Sequence, residues 1–273
     1  MSEFKDCRKR VDRAKMHGAK FFEQWSTFVH DKPCTIRADH KGNGTAVITA
    51  VFEGGIEADF GLGLSLELGE FFYQLRAALD GATFKLASLL SAPHPPPNET
   101  TLEFPIYPTT SKFNQSAFCK QPFSDEFKAW VESIQPYNAH KTTDKPYRGI
   151  NHALSLLHDC ARKDRHRQLH VVAALPTTIK GHFVISPPGR ITFTEMIPCN
   201  FLEDKFEFLR FGFDRVTDGD IDLKGEMVIE VSVQEIPDRR GTALVEEVNR
   251  FLDVAAYVIN AFEAVQKGDP LIF

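Results

Sequence analysis

Apolar residues recur along this chain with two different periods, and the switch between them separates helical from extended stretches. Over residues 3–30, Phe4, Val11, Phe21, Phe22, Trp25 and Phe28 stand in a charged background, the pattern of an amphipathic helix with one buried face. Asp31-Lys32-Pro33 ends it, because proline cannot continue a helix. Residues 34–40 and 45–53 read as strands on either side of Lys41-Gly42-Asn43-Gly44, a turn sequence that accepts positive φ. A second helix is predicted over 65–91, where Leu68, Phe71, Phe72, Leu75, Leu79, Ala82, Leu86 and Leu90 keep a three-and-four spacing. It stops before the stiff loop Pro93-His94-Pro95-Pro96-Pro97. An extended piece at 102–106 and a helix at 124–134 follow, the latter closed by Gln135-Pro136-Tyr137.

The next helix is predicted over 150–172, and beyond it the period falls to two. His182–Ser186 and Arg190–Met196 flank Pro187-Pro188-Gly189 and read as a hairpin, with further strands at 206–213 and 226–235. A last helix over 241–266 turns Leu244, Val248, Phe251, Leu252, Ala255, Val258 and Phe262 inward. The order is helix, hairpin, three helices, four strands, helix. Such segregation predicts an α+β fold: about five helices packed with a largely antiparallel sheet of about six strands. The chain reads as one compact domain over 1–273, or as a mainly helical part with a hairpin over 1–175 and a strand-rich part over 176–273 closed by the last helix.

Composition adds a core rich in one residue type, 24 Phe against 5 Tyr and 4 Met. A net charge of −5 argues against a generic nucleic-acid coat, yet residues 1–20 carry seven Lys or Arg against three acids. That basic end reads as a solvated helix face or as a surface for RNA or an acidic partner. Five scattered cysteines without a C-x-x-C, and no apolar leader or spanning run, predict reduced thiols, a cytoplasmic location and no membrane partner. No G-x-G-x-x-G, P-loop or G-x-S-x-G is present.

Candidate chemistry gathers on the helix at 150–172. At roughly 100° per residue, Ile150, Ala153, Leu154, Leu157, Cys160, Ala161 and Val171 share one side, and Asp164 falls within it. A carboxylate on an apolar face needs a cation or N–H donors, or it takes up a proton. Arg76, at the edge of the second helix's stripe with Asp80 one turn on, is the natural partner. The network so formed either clamps two core helices or lines a ligand pocket. His152, Asp159, Lys163, His166 and His170 occupy the opposite side; His166 and His170 are one turn apart and could share a metal ion. The glutamate of H-E-x-x-H is missing, so solvated histidines are the simpler reading, and neither metal nor cofactor is expected.

Arg76-Ala77-Ala78-Leu79-Asp80, Phe104-Pro105-Ile106, Gln135-Pro136-Tyr137 and Asp164-Arg165-His166-Arg167 resemble, in order and rough spacing, the L-R-S-A-L-D-H, F-P-I, Q-P-Y and D-K-H-R segments of a set of uncharacterised bacterial proteins. The match covers about 65–172 and departs at Gly81 and Arg165, where that family usually has His and Lys. It implies that Arg76, Asp80, Asp164, His166 and Arg167 act as one constellation. Arg165 to His170 also resembles the R-x4-H pattern of HEPN ribonucleases, in which two protomers share a cleft. That resemblance implies a homodimer cleaving RNA without metal, His170 moving a proton at the 2′-OH and Arg165 stabilising the phosphate. On one straight helix Arg165 and His170 point roughly 140° apart. Two readings follow: an RNA-cleaving enzyme using Arg165, His166 and His170, or a non-catalytic binding or assembly protein with a structural network of Arg76, Asp80, Asp164 and Arg167.

Overall fold

The computed structural model describes residues 3–32, 34–42, 44–52, 54–57, 59–139, 145–166, 169, 171–185, 191–197, 205–214, 221–233 and 244–271. The side chains of 40, 42, 145–148, 165, 166, 171–185, 191, 193, 196, 221–230 and 232 lie outside that description. Helices and antiparallel strands are segregated along the chain, as an α+β fold requires. Among the described residues the α-helices are α1 (Lys5–Asp31), α2 (Phe60–Ser91), α3 (Thr110–Asn114), α4 (Asp125–Ser133), α5 (Lys145–His166) and α6 (Leu244–Lys267). The strands are β1 (Cys34–Gly42), β2 (Thr45–Phe52), β3 (Val171–Ile185), β4 (Ile191–Met196), β5 (Lys205–Phe213) and β6 (Ile221–Val233).

One sheet of six strands does not form. A four-stranded antiparallel sheet has the order β1-β2-β5-β4, and β3 pairs with β6 in a separate two-stranded ladder. The β1–β2 hairpin runs Cys34 opposite Phe52 to Gly42 opposite Thr45, as its turn sequence predicts. The arms of the hairpin predicted around Pro187-Pro188-Gly189 fall, among the described residues, on β3 and β4, which belong to different sheets. Length accounts for the exchange. β3 has 15 residues and finds its match in the 13 of β6, whereas β4 has six and pairs with the nine of β5. The β3–β6 register breaks on both sides of Pro176, which has no N–H to give a ladder. The helix predicted to reach 172 instead ends at His166, and β3 begins at Val171. Val171 suits the helical wheel by angle, but Val171-Val172 and Thr177-Thr178 favour a strand and Pro176 bars a helix interior.

The contacts divide the chain into two compact units, each of non-contiguous segments. The helical unit comprises 1–20, 67–168 and 245–273, so the C-terminal helix belongs with the helices and not with the strands. Within it α1 and α2 run antiparallel: Lys85 pairs with Glu3, Arg10 donates to Gln74, and His17 and Lys20 reach Glu67. Burial pushes the Glu67 carboxyl up, and the hydrogen bonds from Lys20 and His17 more than offset it. Phe supplies the core. Phe71 and Phe72 meet Phe251 of α6, and Phe262 packs against Phe104 and Phe127. The second unit comprises 21–66 and 169–244, with Phe28, Phe52, Phe60 and Phe206 in ring contact. There Ser65 Oγ donates to the carbonyl of Leu169.

Phe262 is fully buried between two other rings. Phe262→Ala is expected to lower unfolding stability by about 3–5 kcal/mol, read as a shift in the urea midpoint.

Candidate functional site

Residues 102–107 form an extended segment that pairs with no strand among the described residues. Pro105 holds Phe104 in an extended conformation, and Leu102, Phe104 and Ile106, at every second position, are buried on one face. An extended backbone in a core must still satisfy its amides. Side chains do this here. The Phe104 N–H donates to Asp80 Oδ1 at 2.9 Å, and the Phe104 carbonyl accepts from Arg76 Nη2 at 2.8 Å. Gln135 treats the next turn of the segment alike: its Nε2 donates to the Pro105 carbonyl at 2.9 Å and its Oε1 accepts from the Tyr107 N–H at 3.0 Å. Asn151 of α5 then donates to the carbonyls of Ser133 and Gln135, at 3.0 and 2.6 Å, tying the end of α4 to the same unit.

Arg76 is the electrostatic centre. Its Nη2 lies 3.1 Å from Asp80 Oδ1 and 3.1 Å from Glu103 Oε2, and Tyr107 OH donates to the other Glu103 oxygen at 3.4 Å. The Arg76 side chain is only 6% exposed, while those of Asp80 and Glu103 are 34% and 45% exposed. One buried cation therefore faces two carboxylates that keep contact with water, which limits the desolvation penalty of the pair. His158 of α5 lies within the field of this cluster: burial and the Arg76 charge hold its imidazole below the ordinary histidine range. His158 Nδ1 and Arg76 Nη1 are both out of reach of solvent and have no hydrogen-bond partner among the described residues. Arg76 is thus buried on its Nη1 side, while its Nη2 meets two carboxylates that water reaches.

Asp164 is not the partner of Arg76. Its carboxylate rests on α2 at Gly69, where an added Cβ would come within 2.2 Å of Oδ1. Gly69 precedes Arg76 by seven residues, about 10 Å along the helix, and Arg76 is engaged by Asp80, Glu103 and Phe104. Burial and the negative charge of Glu70 hold the Asp164 carboxyl above its ordinary range. The predicted constellation thus separates: Arg76 and Asp80 act together, and Asp164 stands apart from them.

Arg167 and His170, and the side chains of Arg165 and His166, lie outside the described residues. α5 runs to His166, Leu169 lies outside any helix, and β3 starts at Val171. No group of three or more His, Cys, Asp or Glu among the described residues is arranged to hold a metal ion. The sequence reading missed the roles of Glu103, Asn151 and His158. Asn151 is fully buried, yet on the wheel it stands roughly 100° from Ile150, off the apolar stripe, so spacing carried no sign of it. No protein-family model matches the chain, and no curated protein or solved structure matches it.

A helix-interior glycine is less stable than alanine by about 1 kcal/mol, so Gly69→Ala should stabilise wherever the new methyl fits. It is expected to destabilise the wild type, where it meets Asp164, and to stabilise Asp164→Ala by up to about 1 kcal/mol; denaturant titration of the four proteins reads the difference. His158 supplies a pH dependence. Its folded-state affinity for protons is below that of a free histidine, whose reference value is 6.5. The unfolded chain therefore takes up this proton first as pH falls. Stability is full above about pH 6.5 and declines below it, and His158→Leu should flatten that part of the pH–stability profile.

Proposed function

We propose that this chain is a non-catalytic binding or assembly protein in which the Arg76 network is structural. The observation that carries the reading is that Arg76 and Asp80 together occupy both backbone groups of Phe104. Gln135 does the same for the Pro105 carbonyl and the Tyr107 N–H. Arg76 Nη2, the Asp80 carboxylate and the Gln135 amide, groups able to bind a substrate, are engaged in holding their own chain. On this reading the R-A-A-L-D, F-P-I and Q-P-Y segments, which prompted the resemblance to uncharacterised bacterial proteins, are the signature of one packing unit and not of an active site. Among the described residues no helix is long and apolar enough to cross a membrane.

Two measurements test this. Arg76→Ala leaves the buried Phe104 carbonyl without its donor, and should reduce stability by about 1–3 kcal/mol. Asp80→Asn keeps an acceptor for the Phe104 N–H and should lose less than Asp80→Ala. Purified protein incubated with RNA in EDTA should leave the RNA intact. Cleavage that disappears with His170→Ala would establish the enzyme reading with Arg165, His166 and His170, and unchanged melting of Arg76→Ala would remove the structural one.

A further inference from the structure

We draw no further inference here: the strongest candidate, the exposed apolar face that Tyr73 and Phe84 form on α2, carries nothing, because nothing in the structure shows what covers it.

Discussion

The helical unit depends on how one short extended segment is satisfied. Residues 102–107 bury Leu102, Phe104 and Ile106, yet no strand among the described residues supplies hydrogen bonds. Each amide left bare in such a place would cost about 1–3 kcal/mol. Two helices provide the missing strand in the form of side chains, Arg76 and Asp80 from α2 and Gln135 from the end of α4. The requirement is exacting in distance and direction, so it sets the spacing between these helices as firmly as ring packing does. Asn151 extends the same logic to α5.

Charge follows from this geometry. A guanidinium placed to reach a buried carbonyl must lie deep, and a deep cation needs negative charge close by. Asp80 and Glu103 supply it from positions that water still reaches. Burial first, and then the charge of Arg76, lower the proton affinity of the nearby His158 imidazole, against the opposing pull of Asp159 and Glu103. Asp164 illustrates the opposite case: a carboxylate set against helix backbone with another carboxylate near it, and therefore readily protonated.

Periodicity made much of this legible. The stripes of α1, α2 and α6 and the β1–β2 hairpin follow from residue spacing, save that Leu90, near the end of α2, is 46% exposed and Val11, Phe22 and Leu252 are half-buried. Spacing also put Asp164 on the apolar side of its helix and joined Arg76 to Asp80. It could not join Asp164 to a partner, because a helical wheel records angle and discards position along the axis. Arg76 and Gly69 look alike as candidates on a wheel, yet they are about 10 Å apart. The α5–β3 boundary was hidden for a related reason: Val171 falls at an angle that a helix and a strand can both use. Strand pairing was illegible beyond the first hairpin, since turn chemistry at 187–189 speaks only for neighbours and the lengths of β3 and β6 decide the ladder. Bonds from side chain to backbone, such as those of Gln135 and Asn151, leave no periodic trace.

The helical unit is assembled from 1–20, 67–168 and 245–273, and this has a consequence for its biosynthesis. Chains emerge N-terminus first, and domains begin to fold as they appear. Here the rings of Phe71, Phe72, Phe104 and Phe127 take their partners Phe251 and Phe262 from α6. Those partners are made only after every strand of the other unit. Until then the nascent chain carries an apolar surface with nothing to cover it, the kind of surface that chaperones recognise. A premature stop anywhere before 244 would leave that exposure permanent, and loss of the last tenth of the chain would be felt in its first third.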